Sequence, residues 1–420
     1  MNKQHIVIVG AGYAGVHAAK KLARAYKHTN AVSITLIDRH PFQTMLTAIH
    51  EVAAHRAEPE AVQLDLHRLF REKVACVTAI VKRIDFDRKT VVTEEGSYPY
   101  DELILSLGGE PNDIGVPGVK EHGFTLWSLE DAVKLRNHID RTIRRAMTVS
   151  DARLRRTLLT FTICGSGFTG VEMIGELLDL KNRLKVTELD KNEITFVLVE
   201  ALPTILNLFD RKSAAKAENY LLDHGVKIMK STAITEIDAD RVVFRSGQSL
   251  PTATLIWTAG IQANALSRDF GMTNGPHGRL KVNQYMQAVG LDHVYVAGDC
   301  SWFERCGKPT PQIVEAAEQT AGTAAQNIIA SIDGGQKVAF HGHYHGIVVS
   351  IGSKYAVANL MGLHLSGPIA AFMKRCVNLY YFICIRSGYY LFRYLTHGFF
   401  PKKKRVFIAP IPDRQSSAHK

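Results

Sequence analysis

Ile6-Val7-Ile8-Val9-Gly10-Ala11-Gly12-Tyr13-Ala14-Gly15-Val16, at the start of a 420-residue chain, decides the architecture. A short β-branched run reads as a buried strand, three glycines follow at GxGxxG spacing, and Val16, Ala19, Leu22 and Ala23 then recur at helical intervals. Further on, Ile34 to Ile37 reads as a second strand ending in Asp38. Such glycines permit a tight turn and close approach to a pyrophosphate, the helix N-terminus faces the phosphates, and the acid accepts from a ribose hydroxyl. Gly10, Gly12, Gly15 and Asp38 are therefore expected to bind a dinucleotide.

The pattern recurs. Phe161 to Cys164 is a strand, Gly165-Ser166-Gly167-Phe168-Thr169-Gly170 a second loop, Val171 to Leu180 a helix, and Thr195 to Val199 a strand ending in Glu200. A polar insertion, Lys181 to Glu193, separates this acid further from its glycines. A second pair of marks repeats as well: Leu103 to Gly109 and Leu255 to Gly260. Gly165 lies 155 positions after Gly10 and Gly260 lies 152 after Gly108, so both marks share nearly one offset. The expected fold is α/β, with one Rossmann-like dinucleotide-binding domain nested in another. Residues 1–112 and 259–335 form the first domain, 113–258 the second, and 336–420 a C-terminal region. After the return, Val294-Tyr295-Val296-Ala297-Gly298-Asp299 is another buried strand whose acid falls at the carboxyl edge of the sheet, where ligands bind.

Composition narrows the partners. A net charge of +11 favours an anionic surface. Without zinc spacing or an aromatic RNA-binding pattern, nucleic acid is not expected, and an anionic membrane surface is the better candidate. Six scattered cysteines without a CxxC pair suit a reducing compartment, and the short apolar start runs straight into the glycine loop, so a cytoplasmic location is expected.

The paired loops, the late Ala297-Gly298-Asp299 and the intervening Trp257-Thr258-Ala259-Gly260 resemble the two-dinucleotide-binding-domain flavoproteins. Within that group the chain is similar to the type II NADH dehydrogenases, single-subunit NADH:quinone oxidoreductases. The carriers are Tyr100 to Gly108, Ser128-Leu129-Glu130-Asp131-Ala132, Thr169-Gly170-Val171-Glu172 with Gly175-Glu176-Leu177, and Ile256 to Gly260; the likeness runs from Lys3 to about Phe400. The resemblance implies FAD on Gly10, Gly12, Gly15, Asp38 and Asp299, and NADH on Gly165, Gly167, Gly170 and Glu200; Gly108 and Gly260 are expected to bind cofactor as well. A carboxylate at Glu200 suits the free 2′-hydroxyl of NADH and repels the phosphate of NADPH. Glu172 matches a family glutamate near flavin and nicotinamide. Many members carry Ala-Gln-x-Ala-x-Gln where quinone meets flavin; here the stretch is Val314-Glu315-Ala316-Ala317-Glu318-Gln319, which keeps Gln319 but puts Glu315 in place of glutamine. An ionised carboxylate cannot donate a hydrogen bond to a quinone, though burial can keep it protonated. Lys374 matches a basic residue expected to bind a quinone oxygen.

His341, His343 and His345 alternate as on a strand, without a partnered carboxylate or cysteine pattern, and read as sheet residues rather than a metal site. From Pro368 to Phe400 the chain is apolar and aromatic, but its longest uncharged stretch, Cys376 to Ile385, is too short to span a bilayer. On a helical wheel Arg375, Arg386, Arg393 and His397 gather on one side, with Val377, Tyr380, Cys384, Leu391 and Leu395 opposite; Ser387-Gly388 divides the stretch into two helices. With Lys402-Lys403-Lys404-Arg405 beyond, this is the pattern of a monotopic anchor on the cytoplasmic face of the cell membrane; the other readings of such a tail are a homodimer face or ordinary core helices.

The expected chemistry is two-electron oxidation of NADH with transfer to a membrane quinone, without proton pumping. Glu172, Glu315, Gln319 and Lys374 would tune or orient. Disulfide reductases need a cysteine facing the flavin, and Pro41 to Val52 has none. A soluble reductase serving a small redox protein is the enzymatic alternative, and a non-catalytic NADH sensor the remaining one.

Overall fold

The computed structural model describes residues 3–186, 189–268, 270–399 and 405–409. Two five-stranded parallel sheets organise the chain. In the first, the order across the sheet is Val294–Val296, Glu102–Leu105, Gln4–Val9, Val32–Asp38, Ala75–Thr78. In the second it is Gly123–Thr125, Thr254–Trp257, Thr160–Cys164, Thr195–Val199, Lys227–Met229. The orders correspond strand for strand except at one edge. There the first sheet takes a strand from far downstream, while the second takes one from upstream of its glycine loop, which is what nesting one unit in the other requires.

Each unit also carries a three-stranded antiparallel appendage at the same place: Val81–Asp85, Thr90–Thr93 and Ser97–Pro99 in one, Ile234–Ile237, Arg241–Phe244 and Ser249–Pro251 in the other. Both first strands break register in the same way, at Val81/Arg83 and Ile234/Glu236. The two passages between units lie side by side, Gly109–Pro111 pairing antiparallel with Ile261–Ala263. Indole N–H groups pin them, Trp127 donating to the Gly109 carbonyl at 2.7 Å and Trp257 to that of Asn112 at 2.9 Å.

The strands before the loops are buried on both faces, as parallel sheets covered by helices require. Ile6 and Ile8 are almost fully enclosed; burying such side chains contributes roughly 1.5–3 kcal/mol each, which fixes where the glycine loop begins. Gly12 and Gly167 are the N-caps of the helices Tyr13–Ala25 and Phe168–Arg183. Neither helix has a capping side chain or an acid in its first turn, so the N–H groups there are left for an anion.

The polar insertion has a structural use: Leu184–Lys185 pairs in parallel with Val406–Phe407, anchoring the chain's far end to the second unit. The sheet assignment for the histidines is corrected. His341, His343 and His345 lie in an irregular segment, and the antiparallel sheet Gly346–Ile351, Tyr355–Leu360, Leu363–Ser366 begins only after them. Their alternation reflects attachment to the helix Val314–Asp333, because Gln319 Nε2 donates to the His343 carbonyl at 2.5 Å and Glu315 accepts from the His345 amide at 3.0 Å.

The helix Pro368–Cys384 packs on that sheet and is followed, after a break at Arg386, by Gly388–Arg393. The expected division at Ser387-Gly388 is present, but the sense of the amphipathic face needs correction. Arg375 donates to the Ser353 carbonyl at 2.7 Å, Arg393 to that of Glu60 at 2.7 Å, and Lys374 points inward, so these cations serve the protein body. The outward face is apolar: Ile369, Phe372, Val377, Tyr380, Ile383, Phe392 and Leu395 are exposed, Phe392 by 68%. Of the basic run, Lys402 to Lys404 lie outside the described residues. Among the described residues no helix is long and apolar enough to cross a membrane.

Candidate functional site

The two glycine loops are built alike, atom for atom. Asp38 accepts from the Ala11 amide at 2.6 Å and the His40 amide at 2.9 Å; Glu200 accepts from the Ser166 amide at 2.9 Å and the Leu202 amide at 2.8 Å. In each case the acid is held at the loop by the residue after the first glycine and by its own chain two residues on. The Ser166 hydroxyl adds a 2.6 Å bond to Glu200 that the first loop lacks.

Behind each loop sits a hydroxyl that sequence reasoning did not single out. Ser106 Oγ lies 2.9 and 2.8 Å from the carbonyl oxygens of Val9 and Gly10; Thr258 Oγ1 lies 2.8 and 3.0 Å from those of Cys164 and Gly165. These hydroxyls tie the strand Glu102–Leu105 or Thr254–Trp257 to the turn. Both residues stand at the same place in the repeated strand-to-glycine segments, so superposing the repeats finds them.

Three glycines per loop do different work. Gly10 and Gly165 have positive φ, 98° and 97°, the left-handed region that favours glycine. A Cβ on Gly15 would lie 1.8 Å from the Gly10 carbonyl oxygen, and one on Gly170 2.0 Å from that of Gly165, so both let the helix meet the turn. At Gly12 and Gly167 an added Cβ meets no protein atom within 4 Å, leaving open space directly at the helix N-terminus. That combination fits a dinucleotide pyrophosphate in both units. Gly108 has φ of 69° with open space around it, and Gly260 has φ of 147° at the passage between units.

Asp299 follows the strand Val294–Val296, and the Gly298 amide before it donates to Thr320 Oγ1 at 3.0 Å, locking the turn to the helix Val314–Asp333. Burial pushes the Asp299 carboxyl up to about 6 against the opposing pull of Arg279. A shielded acid at the first sheet's carboxyl edge fits the polar part of a flavin nucleotide.

Glu172 lies in the first turns of the helix after the second loop and is 6% exposed. Its Oε1 accepts from Lys374 Nζ at 2.8 Å, from the Ser350 amide at 3.1 Å and from the Ser350 hydroxyl at 3.0 Å. His50 Nδ1 is 3.9 Å from Oε2. Burial raises the Glu172 carboxyl, but Lys374, then His50, outweigh it and hold it below its usual value. Burial likewise lowers the His50 imidazole, only partly opposed by Glu172. Glu172 and Lys374 thus meet as a buried ion pair; Lys374, expected to face a quinone oxygen, is engaged by a carboxylate. His50, a lone histidine in a short helix, gave no periodic signal in the sequence.

Glu315 and Gln319 form a second group on the helix Val314–Asp333. Gln319 Nε2 lies 3.3 Å from Glu315 Oε1, and Glu315 is also hydrogen-bonded to the imidazole of His345. No direct contact joins this pair to Glu172 or Lys374 among the described residues. Between the groups stand Tyr13, bonded to Thr47 at 2.9 Å, and Tyr381, whose ring meets that of Tyr13 edge-on at 4.9 Å and whose hydroxyl accepts from Gln43 at 2.6 Å. Cys164 and Cys300 are buried, and burial pushes their thiols up to about 12 and 11, so neither is poised as a thiolate.

Known proteins bear out this architecture. Residues 4–321 match the pyridine nucleotide-disulphide oxidoreductase family. A type II NADH:quinone oxidoreductase of Staphylococcus aureus is 30% identical over 390 residues, covering 90% of this chain and 94% of the relative. Among solved structures, NDH2 from Plasmodium falciparum in complex with NADH has a TM-score of 0.81 at 15% identity, covering 96% of this chain and all of its own. The sulfide:quinone oxidoreductase of Aquifex aeolicus shares the fold with a TM-score of 0.73 at 18% identity, covering 91% of each chain. On this likeness the chain belongs to the pyridine nucleotide-disulphide oxidoreductase family and, within it, to the type II NADH:quinone oxidoreductases.

Proposed function

We propose that the chain oxidises NADH bound at the second loop and passes two electrons by way of FAD, bound at the first, to a quinone in the membrane, without pumping protons. In this reading Gly10, Gly12, Gly15, Asp38, Gly108 and Asp299 hold FAD, and Gly165, Gly167, Gly170, Glu200 and Gly260 hold NADH. Residues 1–112 with 259–335 are then the FAD domain, 113–258 the NADH domain, and 336–420 the membrane-facing region.

The observation that carries the reading is the pair of matched cradles whose helices bring Tyr13 of the first within reach of the charge of Glu172, paired with Lys374, of the second. Bound FAD supplies two-electron chemistry that side chains lack. The chain's own residues position: Glu172 is kept ionised by Lys374, and Gln319 is fixed by His343. At Glu200 the carboxylate favours NADH over NADPH.

The C-terminal face supports a peripheral, monotopic attachment, which we place at the cytoplasmic side of the membrane. Exposed apolar residues on the helices Pro368–Cys384 and Gly388–Arg393 continue onto the hairpin at Met361 and Leu363, a patch suited to the acyl boundary. Arg375 and Arg393 are turned to the protein body, so the exposed apolar residues of these helices are the part of this face that would enter the acyl boundary. The same patch bears against a soluble reductase acting on a small redox protein, and homodimer formation would compete for it.

The test is anaerobic mixing of the purified protein with NADH, then with a short-chain quinone, while flavin absorbance is followed. Bleaching by NADH and rapid recovery on quinone support the reading. Bleaching that persists moves the acceptor to a protein, and no bleaching removes the enzyme assignment. Proteoliposomes carrying an internal pH dye should show turnover without a transmembrane pH gradient.

A further inference from the structure

Oxidising NADH to NAD⁺ releases two electrons and one proton, while reducing a quinone to a quinol takes two electrons and two protons. Each turnover therefore draws one proton from solvent, and the Glu172–Lys374 pair is not arranged to supply it. Lys374 and the Ser350 donors hold Glu172 ionised behind a surface that admits little water.

Glu318, at an open position of the altered motif, is arranged differently. Its Oε1 is shut off from solvent and has no hydrogen-bond partner. A carboxylate oxygen in that condition is costly, and such a group lowers the cost by keeping its proton. Burial, and next the charge of Glu315, push the Glu318 carboxyl up to about 7. The groups that feel its charge come from two other elements: Tyr13 from the helix after the first loop, and Tyr380, Tyr381 and Cys384 from Pro368–Cys384. Beyond Tyr13 are Glu172, Lys374 and His50. Glu318 thus borders the ground between the first loop and the membrane-facing helix, within the stretch that the family resemblance puts where quinone meets flavin.

The carboxylate whose charge reaches Glu318 lies on the same helix, toward solvent. Glu315, one turn earlier, is hydrogen-bonded to the imidazole of His345, whose side chain is 73% exposed. The glutamine usual at position 315 could not pass a proton on; a carboxylate can. We propose that Glu318 holds the proton that a quinone takes up, and that Glu315 and His345 return it from solvent. The proposal rests on the quinone reading above. In the step, the Glu318 O–H bond breaks as a quinone oxygen gains the proton, the electrons come from NADH, and water supplies the replacement proton through His345 and Glu315.

The experiment is anaerobic stopped-flow on the FAD-loaded protein, following bleaching by NADH and recovery on a short-chain quinone across pH. In the wild type, recovery falls as pH rises through about 7, because the acid form is the one that delivers. Glu318→Gln should bleach normally, recover about 100-fold more slowly and lose that pH limb, within the range general acid catalysis contributes. Glu318→Asp should keep a pH limb, which a packing role does not require, and His345→Ala should recover slowly unless imidazole is added. In the wild type, the carboxylic acid C=O infrared band should be lost transiently on quinone reduction, a readout independent of any variant. Recovery of Glu318→Gln at the wild-type rate, an unchanged pH limb in it, or no infrared change overturns the proposal. A wild-type protein whose bleached flavin ignores quinone overturns the underlying function instead.

Discussion

The first and second nucleotide units are near copies at their glycine loops and unlike on the helices that follow. Seven residues after Gly10 comes His17; seven after Gly165 comes Glu172. His17 lies against the helix Val314–Asp333, where a Cβ on Gly322 would come 3.5 Å from its Nε2. Glu172 instead faces the C-terminal sheet and helix and pairs with Lys374. The cradle is therefore a property of the fold, repeated with its hydroxyl latch and its acid, while chemistry is assigned by what packs on the helix afterwards.

The largest effects should come from the glycines, and they should separate the units. Gly170→Ala, whose Cβ would overlap the Gly165 carbonyl, is expected to raise KM for NADH by on the order of 100-fold, about 2.7 kcal/mol, while the protein is purified with its flavin. Gly12→Ala has room in the protein and should fold with the melting temperature of the wild type stripped of FAD, yet fail to take FAD up, because the added methyl occupies the ligand's space. If both variants lose both nucleotides, the units are not independent and the comparison fails.

Next is the ion pair. Lys374→Met leaves Glu172 without its main partner and should destabilise the fold by about 3–5 kcal/mol in denaturant titrations near neutral pH. The sign with pH follows from the lowered Glu172 carboxyl. It adds stability above its unfolded value of about 4.5, a contribution lost as pH falls through the folded value. The gap between variant and wild type should therefore narrow in acid; a constant gap would mean that packing, not charge, accounts for it.

Glu200→Gln keeps the shape but removes the charge that opposes a 2′-phosphate, and should shift kcat/KM toward NADPH relative to NADH by about 10-fold, or about 1.4 kcal/mol. The same change at Asp38 should leave that preference untouched. Smallest are the latches: Ser106→Ala and Thr258→Val should each cost about 0.5–1.5 kcal/mol, with the first seen in FAD retention and the second in KM for NADH.

What the sequence disclosed follows the same division. The nested units were legible because glycines, strand-end acids and strand-to-glycine segments are local and repeat at a shared offset. Contacts between distant segments were not. Lys374 and Glu172 are 202 positions apart, and only the folded tail brings them together. The histidine alternation misled because period-two spacing also suits an extended segment pinned to a helix, here by Glu315 and Gln319. The cations of the tail fell on one side of the wheel as expected, but a wheel does not say which side meets the protein, and carbonyls at Ser353 and Glu60 settle it. Glu318 was passed over since its unpaired oxygen is a fact of burial, invisible in a motif.

The central claim is that electrons enter through the second unit and leave beside the first. It is tested most directly in Gly170→Ala under anaerobic conditions, by following flavin bleaching on mixing with NADH and, in a separate sample reduced with light, flavin recovery on mixing with a short-chain quinone. The account predicts quinone reoxidation at the wild-type rate and bleaching that needs on the order of 100-fold more NADH. Equal loss of both reactions would contradict it, because one site would then be serving both partners.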